Sequence, residues 1–251
     1  MNTRLSAQHS APVLDVQDLH YRYGDQPILQ GLSFHLHSGE ALCLLGHNGV
    51  GKTTALNHLL GFLKPASGQV RVTGLDPAAN PSGVLSRIGY VPENAALYGH
   101  LDAAENIDYF LALADLPALP KAQLETHLQS VGFPLERLQQ PASGYSKGMR
   151  QKVVLALALA KQAQVLLLDE PTTGLDPQSA TELTRRIHEL KAAGAGVLIV
   201  THDLPWAQAT ADWLGIMEGG RITDLLPTRE LTPAQLAERV FAGAANRSGV
   251  A

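Results

Sequence analysis

A glycine-rich octapeptide is the strongest chemical pattern in this sequence. Residues 46–53 read Gly-His-Asn-Gly-Val-Gly-Lys-Thr and directly follow the apolar run Ala41 to Leu45. Glycines at such a strand-to-helix turn let backbone N–H groups point at phosphate oxygens, and the helix that follows adds its positive N-terminal end. Lys52 is expected to reach the β and γ phosphates, and Thr53 to ligate Mg²⁺. This segment, the P-loop, therefore predicts a nucleotide site, and the alternative is an ordinary glycine-rich turn that opens a helix.

Two carboxylates stand at the end of another apolar run. Asp169 and Glu170 follow Val165 to Leu168, and sheets of α/β proteins bind ligands at the carboxyl ends of their strands. Asp169 is the natural partner of a Mg²⁺ ion held by Thr53. Glu170 is expected to orient or deprotonate an attacking water. The alternative, a strand-end cap or a solvated pair, is weakened by the P-loop upstream.

Two weaker signals follow the same logic. The segment Tyr145 to Met149 reads Tyr-Ser-Lys-Gly-Met at the start of a helical stretch, and its fresh N–H groups make a second anion site, although Ser and Gly near a helix start are usually caps. His202 follows the apolar run Val197 to Val200 and Thr201. An imidazole there could sense a terminal phosphate, but a lone histidine is more often structural.

The patterns around these residues predict an α/β fold. Continuous apolar runs are typical of strands that are covered on both faces of a parallel sheet. Alternation at Leu32, Phe34 and Leu36 predicts strands with one wet face, hence an antiparallel β patch near the N-terminus. From about Asn94 to Gln162 helical spacing replaces the strand patterns. We therefore predict one domain over residues 1–251, with a mostly parallel P-loop NTPase core (1–93 and 163–251) and an inserted helical subdomain (94–162).

Several local signals mark the ends of elements. A capping box at Asp102 and Glu105 predicts a helix start, and the pair Asp176 and Pro177 predicts another that runs towards Ala193. The remaining expectations are a helix over Lys121 to Val131, a hairpin at Gly219 and Gly220, a short helix from Thr232, and frayed residues from Ala242 to Ala251.

Composition excludes several classes of protein. The single cysteine, Cys43, rules out a disulfide framework and cysteine-based zinc patterns. A formal net charge of −4 does not favour a nucleic-acid partner. The N-terminal residues lack the apolar stretch of a secretory signal, and no apolar run approaches the roughly 20 residues that span a bilayer. We expect a cytoplasmic protein whose membrane-spanning partner, if it has one, is another chain.

The order of these segments resembles that of the ATP-binding cassette (ABC) ATPases from about Val13 to Ile222. The resemblance implies ATP and Mg²⁺ as cofactors, with Glu170, the switch histidine His202 and Lys52 as catalytic residues. It implies Mg²⁺ ligation by Thr53, Glu93 at the Q-loop position, and Asp169, the last directly or through water. The implied nucleotide-binding residues are Tyr23, which stacks on adenine, Gly46, His47, Asn48, Gly49, Val50, Gly51, Lys52, Thr53 and Thr54 of Walker A, Glu93, Ser146 and Gly148 of the signature, Asp169 of Walker B, and Asp176 of the D-loop.

The resemblance also implies partners. Two such subunits, expected to be a homodimer, close head to tail, so that Ser146 and Gly148 act on the ATP of the other subunit. A separate transmembrane permease would dock near Asn94 to His100 and hold the pair at the cytoplasmic face of the inner membrane. Non-transport ABC ATPases that act as mechanical regulators or assembly scaffolds remain an alternative. An unrelated P-loop kinase or GTPase would leave the signature and the late histidine without a role.

Two motifs depart from the common family pattern. The signature reads Tyr-Ser-Lys-Gly-Met where most members have Leu-Ser-Gly-Gly-Gln, and Glu93 replaces the usual Gln. In both motifs the chain is similar to the branch of the family that serves ABC-2-like permeases, which are often exporters. Within that branch it is similar to ATPases of transporters that assist copper-site assembly of nitrous oxide reductase. His35 and His37 share a strand face, but two ligands do not make a metal site, and we assign no metal beyond Mg²⁺.

Overall fold

The computed structural model describes residues 11–230, 232–236 and 238. The strands are β1 (Leu14–Tyr23), β2 (Gln26–Leu36), β3 (Ala41–Leu45), β4 (Ser67–Val72), β5 (Ile88–Val91), β6 (Val165–Asp169), β7 (Gly196–Thr201), β8 (Trp213–Glu218) and β9 (Arg221–Pro227). The helices up to residue 210 are α1 (Lys52–Leu59), α2 (Pro81–Leu85), α3 (Ala103–Leu113), α4 (Lys121–Ser130), α5 (Lys147–Ala160), α6 (Pro177–Ala192) and α7 (Leu204–Thr210).

The larger sheet has six strands in the order β5, β6, β7, β3, β8, β9. The first five run parallel and β9 is antiparallel to β8. Every residue of β3, β6 and β7 is buried, because helices cover one face of the sheet, and α1 with the N-terminal antiparallel strands covers the other. The predicted parallel core is confirmed. Since these strands share a direction, their carboxyl ends bring the P-loop, Asp169 and His202 to one edge of the sheet.

A smaller antiparallel sheet, in the order β2, β1, β4, forms the predicted N-terminal patch. Leu14 pairs with Leu36 of β2 on one side and with Val72 of β4 on the other. Leu32, Phe34 and Leu36 are buried, so the alternation in the sequence correctly identified the inward face. This face packs into the same apolar cluster as the side chains of α1.

Along the chain, helices α3, α4 and α5 come between β5 and β6, in the segment where the sequence predicts helical spacing. Helix α5 contacts α3 and α4 and also packs on β5. A Cβ atom at Gly89 of β5 would lie only 2.4 Å from the Cβ of Ala158. The C-terminal half of α5 therefore rests against the large sheet, while buried Ile107, Leu128 and Val153 join the three helices to each other.

The predicted ends of elements are mostly confirmed. Asp102 and Glu105 form a complete capping box at α3, Asp176 caps α6, and Gly219 and Gly220 turn β8 into β9 at positive φ. Helix α4 ends one residue earlier than Val131, and α6 one residue earlier than Ala193. Thr232 precedes a helical turn at 233–236, whereas Ala242 to Ala251 lie outside the described residues. Within the described part of the chain, no helix is long and apolar enough to cross a bilayer.

Candidate active site

The P-loop depends on glycines for two different reasons. Gly49 and Gly51 have φ of +83° and +109°, in the left-handed region that other residues avoid. A Cβ at Gly51 would also lie 2.8 Å from Leu29 Cδ2 and 3.2 Å from the carbonyl oxygen of Ile28, whereas nothing lies within 4 Å of one at Gly49. Residue 51 is thus pressed against β2. Residue 49 stays open to solvent.

Neighbouring positions complete the loop. Gly46 has the tightest surroundings, because a Cβ there would lie 2.8 Å from Val50 Cγ1 and 2.9 Å from the carbonyl oxygen of Met217. Val50 is buried and anchors the loop in the core, while His47 and Asn48 are exposed. The loop is therefore fixed by its packing on one side and presents its backbone to solvent on the other.

Lys52 folds back over the P-loop. Its Nζ donates to the carbonyl oxygens of Gly46 and, at 3.2 Å, His47. The same atom lies 4.0 Å from Oε1 of Glu170. Lys52 is only 7% exposed, and burial lowers the pKa of its ammonium while the charges of Glu170 and Asp169 oppose that effect. The Lys52 ammonium thus lies between the carbonyl oxygens of the P-loop and the carboxylate of Glu170.

Asp169 is held in a cluster of negative groups at the end of β6. Burial first, and then the charges of Glu170 and Glu93, raise the pKa of Asp169 to about 6. Tyr90 of β5 hydrogen-bonds to Asp169, and burial together with this carboxylate raises the pKa of Tyr90 to about 12. The repulsion that Asp169 experiences from Glu170 and Glu93 is of the kind that a divalent cation bound to Asp169 would offset. Thr53 lies in the first turn of α1 and is exposed.

Glu170 is held by its neighbours on β7. Its Oε2 accepts a hydrogen bond from Thr201 Oγ1 at 2.9 Å and lies 3.0 Å from Nδ1 of His202. Its backbone N–H donates to the carbonyl oxygen of Val200, and its φ is +45°. The structure thus brings Lys52, Glu170 and His202 together, and adds Thr201.

The signature segment has a local explanation for its unusual first residue. Tyr145 is 5% exposed, stacks edge-on against Phe133 at 5.4 Å, and donates its hydroxyl proton to the carbonyl oxygen of Arg137 or Leu138. A tyrosine can therefore fill the apolar position at which most family members have leucine, because its hydroxyl has partners. Burial raises the pKa of Tyr145, so that it stays a neutral donor.

The signature lies beside the D-loop of its own chain. Ser146 caps α5 by accepting a hydrogen bond from Met149 N–H at 3.2 Å. A Cβ at Gly148 would contact Leu175, and one at Gly174 would lie 3.4 Å from Cδ of Lys147. Among the described residues, no hydrogen bond joins Ser146 to the P-loop or to the carboxylates. The structure of one chain therefore leaves the signature apart from the Lys52 and Glu170 cluster.

The other predicted residues lie at the margins of the site. Tyr23 ends β1, is 50% exposed and meets Tyr21 edge-on at 5.0 Å. Glu93 is exposed but close enough to influence Asp169. Buried Thr54 belongs to the body of α1. Asp176 is engaged in capping, since its carboxylate accepts from both the N–H and the hydroxyl of Ser179, which lowers its pKa.

Sequence reasoning missed two residues around Glu170. Thr201 interrupts an apolar strand directly before His202, and that polarity was a usable signal. Gln151 of α5 is 3% exposed and donates to the carbonyl oxygen of Pro171 at 2.7 Å. A buried Gln on an otherwise apolar helix face was the corresponding signal. Together these contacts tie both sides of Glu170 to neighbouring elements.

The histidine pair shows no sign of a metal site. His35 lies on β2 and is 3.9 Å from Asp15, whereas His37 follows the end of that strand. In the described ranges, no group of three or more His, Cys, Asp or Glu side chains is placed to hold a metal ion. The prediction that the two histidines share a strand face is wrong, because β2 ends at Leu36 and Nδ1 of His37 is buried.

Comparison with known proteins places these features in a family. The sequence profile described as "ABC transporter" matches residues 29–173, more than half of the chain. The chain is 34% identical over 213 residues to the ABC-type transporter ATP-binding protein EcsA of Bacillus subtilis, covering 84% of this chain and 85% of EcsA. It is also 34% identical over 212 residues to the Nod factor export ATP-binding protein I of Ralstonia nicotianae, covering 84% of this chain and 66% of that protein.

A solved structure agrees. The ATP-binding subunit of an ABC transporter superposes with a TM-score of 0.78 at 33% identity, covering 92% of this chain and 93% of that one. The α/β architecture described above is thus shared with an ATP-binding subunit of an ABC transporter. This chain therefore belongs to the ABC transporter family, as an ATP-binding and ATP-hydrolysing subunit.

Proposed function

We propose that this subunit powers a separate membrane permease, an exporter, with Glu170 as the general base of ATP hydrolysis. The observation that carries the chemical part is the position of Glu170. Its Oε1 lies 4.0 Å from Lys52 Nζ, while its Oε2 is held by Thr201 and His202. A carboxylate that is fixed beside a phosphate-binding lysine is well placed to take a proton from water.

The reaction uses these groups in defined roles. The P-loop N–H groups and Lys52 bind the phosphates and stabilise charge that develops on them. Glu170 accepts a proton as the water oxygen bonds to the γ phosphorus and the bond to the ADP oxygen breaks. Thr53, Asp169 and Glu93 would hold Mg²⁺, which would neutralise phosphate charge. Tyr23 stacks on adenine, and His202 contacts the terminal phosphate.

The second half of the site comes from another subunit. Ser146 and Gly148 lie at the positive start of α5, next to Asp176 and the D-loop, and not beside the P-loop of the same chain. A second copy placed head to tail would present this helix start to the ATP, so that two ATP molecules lie between two chains. We therefore propose a homodimer in which Ser146 and Gly148 act in trans.

The permease contacts an aromatic surface next to the Q-loop position. This surface consists of Tyr98, His100, Tyr109 and Phe110; the rings of Tyr98 and Tyr109 lie 4.5 Å apart, and both residues are about 40% exposed. Buried Asn106 fixes the loop through hydrogen bonds with the N–H and carbonyl of Tyr98. Exposed, rigid aromatic rings are typical of protein contact sites. The permease would hold the ATPase at the cytoplasmic face of the membrane.

We further propose that residues 94–162 move as a helical subdomain against a core of residues 1–93 and 163–251. ATP-driven closure would carry the aromatic surface with it. The similarity to a Nod factor export ATP-binding protein supports export as the direction of transport. The more specific likeness to ATPases that serve nitrous oxide reductase assembly stays a prediction.

Replacement of the proposed base tests the chemistry. Glu170→Gln keeps the size of the side chain and its ability to form hydrogen bonds, but the amide cannot accept a proton from water. We expect ATP turnover to fall at least about a hundredfold, with ATP still bound and a closed dimer accumulating in gel filtration. Glu125→Gln, at an exposed ion pair on α4, is the matched control. Normal turnover in Glu170→Gln would refute the assignment.

Removal of aromatic rings tests the transport partner. Tyr109→Ala should reduce co-purification of a hydrophobic permease from detergent extract and leave ATP binding intact. Phe62, which follows α1 and is 65% exposed, provides the control variant Phe62→Ala. If no membrane protein co-purifies with the unaltered chain, a non-transport ABC ATPase becomes the better interpretation.

A further inference from the structure

Thr201 is a buried hydroxyl that faces the proposed base. It is the last residue of β7 and is fully buried. Its Oγ1 lies 2.9 Å from Glu170 Oε2 and accepts a hydrogen bond from the backbone N–H of Asp203 at 3.1 Å. Asp203 is itself fixed, because its carboxylate caps α7. The hydroxyl is therefore held from both sides by groups that do not depend on a ligand.

These two contacts fix the direction of the hydrogen bond. A hydroxyl has one proton to donate. Because the N–H of Asp203 already occupies a lone pair of Oγ1, that proton is directed to Oε2 of Glu170, which can only accept when ionised. The bond is charge-assisted, so it is stronger than a bond between neutral groups.

The bond makes the two oxygens of Glu170 different. Oε2 receives the Thr201 proton and contacts Nδ1 of His202, whereas Oε1 faces Lys52. The His202 side chain is 64% exposed, but Thr201 is enclosed in the sheet. The contact with His202 is therefore accessible to solvent and to phosphate, whereas the contact with Thr201 is shielded from both.

We propose that Thr201 is a positioning residue for hydrolysis, which holds Oε2 of Glu170 so that Oε1 faces the attacking water. The inference rests on the proposed role of Glu170 as the base. Positional errors of about 1 Å in a reacting group can cost about a hundredfold in rate. The strand that ends in Thr201 thus sets the orientation of a carboxylate on the neighbouring strand.

The test compares two substitutions of nearly equal size. Thr201→Val keeps the branched shape that suits a β-strand but loses the hydroxyl, and Thr201→Ser keeps the hydroxyl. We expect kcat of Thr201→Val to fall about tenfold to a hundredfold with KM for ATP within about twofold of the parent. Thr201→Ser should retain at least about a third of the parent kcat.

A second buried threonine controls for the loss of a hydroxyl as such. Thr210 is 1% exposed and shares its hydroxyl with Thr184 at 3.2 Å, away from the carboxylates. Thr210→Val should keep the parent kcat even where its melting temperature falls as much as that of Thr201→Val. Introduced into Glu170→Gln, Thr201→Val should cause no further loss, because both changes act through one group.

The outcomes separate the two levels of the proposal. Unchanged kcat in Thr201→Val would overturn the positioning role while leaving Glu170 as the base. Equal loss in Thr201→Val and Thr201→Ser, or equal loss in Thr210→Val, would also overturn it, since the effect would then not follow the hydroxyl. Full activity of Glu170→Gln would instead remove the proposed base itself. Selective loss in Thr201→Val alone supports the inference.

Discussion

Helices α1 and α5 both begin at segments assigned to phosphate binding, but the two starts are built differently. Helix α1 has Gly51 as its N-cap, at φ +109° and without a side-chain cap. Helix α5 has Ser146, whose hydroxyl accepts the N–H of Met149. Neither helix has an acidic residue in its first turn. The capping box of α3, with Asp102 and Glu105, shows that the chain does use acids where only helix stability is at stake.

The difference separates a site formed within the chain from one that needs a partner. The first N–H groups of α1 have no side-chain acceptor, so an anion can bind them without displacing anything. In α5 the serine satisfies one of these groups in the single chain. Its hydroxyl proton is still free to be donated, because capping uses only the oxygen as acceptor. Ser146 can therefore stabilise its own helix and contact the phosphate of a neighbouring subunit.

Removal of the Lys52 ammonium should have the largest effect on ATP turnover, and it would act only on the phosphate site at the start of α1. Lys52→Ala deletes the cation that lies between the P-loop and Glu170. We expect ATP turnover to fall about a thousandfold, with weaker nucleotide binding in fluorescence titration. Lys64→Ala, at an exposed position beyond α1, is the control. Parent-like binding and turnover in Lys52→Ala would mean that this P-loop does not bind the triphosphate.

A change of charge at Ser146 separates capping from phosphate contact. Asp caps helices about as well as Ser does. The free energy of unfolding of Ser146→Asp should therefore lie within about 0.5 kcal/mol of the parent value. Its carboxylate would repel the γ phosphate of the other subunit, and we expect turnover to fall about a hundredfold.

Ser146→Ala provides the reciprocal variant. It should lose about 1 kcal/mol of stability through the missing cap, measured by urea denaturation, and keep more activity than Ser146→Asp. Full turnover in Ser146→Asp would show that the α5 start does not meet phosphate, and the contrast between the two helices would disappear.

Two glycines of the P-loop differ in what surrounds them. Gly49→Ala should lower the free energy of unfolding by about 1–2 kcal/mol, because alanine disfavours the left-handed backbone conformation at this position. Gly51→Ala has the same backbone strain, and its Cβ would also clash with Leu29 and Ile28. We therefore expect a loss of about 2–5 kcal/mol in free energy of unfolding. Urea denaturation of both variants measures the difference. Equal losses would mean that β2 does not press on the α1 start.

The far end of α5 offers the smallest effect. Lys161 follows the helix, and its Nζ donates to the carbonyl oxygens of Leu85 and Ile88 at 2.6 and 2.8 Å. Burial lowers its pKa to about 8 from the ordinary value of 10.5. Below pH 8 the folded and unfolded chains are both protonated there. Between pH 8 and 10.5 only the folded chain has released the proton, so this group makes stability rise with pH.

Between pH 8 and pH 9.5 the free energy of unfolding of the parent protein should therefore rise by about 1.5 kcal/mol relative to that of Lys161→Met. The comparison must use this difference, because burial also raises the pKa of the Cys43 thiol. That shift lowers the stability of both proteins alike as the pH rises and cancels. Parallel pH profiles would show that the ammonium is not desolvated at the end of α5.

Much of the fold could be predicted because its signals are local. Continuous apolar runs identified β3, β6 and β7, alternation identified the wet face of β2, and capping residues placed the starts of α3 and α6. Short helices such as α2 and α7 escaped prediction, since each has few residues in which a period can develop. Their positions depend on packing against distant strands.

The site was predicted less evenly. Lys52, Asp169 and Glu170 follow from a contiguous motif and from the rule that parallel strands end at one edge. Thr201 and Gln151 contact Glu170 or its neighbour across strands or from a helix, and only register decides such pairs. Tyr145 looked like a departure from a motif until Phe133 and two carbonyl oxygens appeared beside it.

The sequence by itself determined where the chain turns from strand to helix with glycines, and which charged groups follow buried strands. Those properties depend on the conformational freedom and polarity of residues within a few positions of each other. Only the tertiary structure decided that Thr201 and His202 share one oxygen of Glu170 while Lys52 faces the other, and that Ser146 lies apart from all of them. These contacts join residues distant in the chain, and their distances follow from strand register and helix packing, which no local pattern contains.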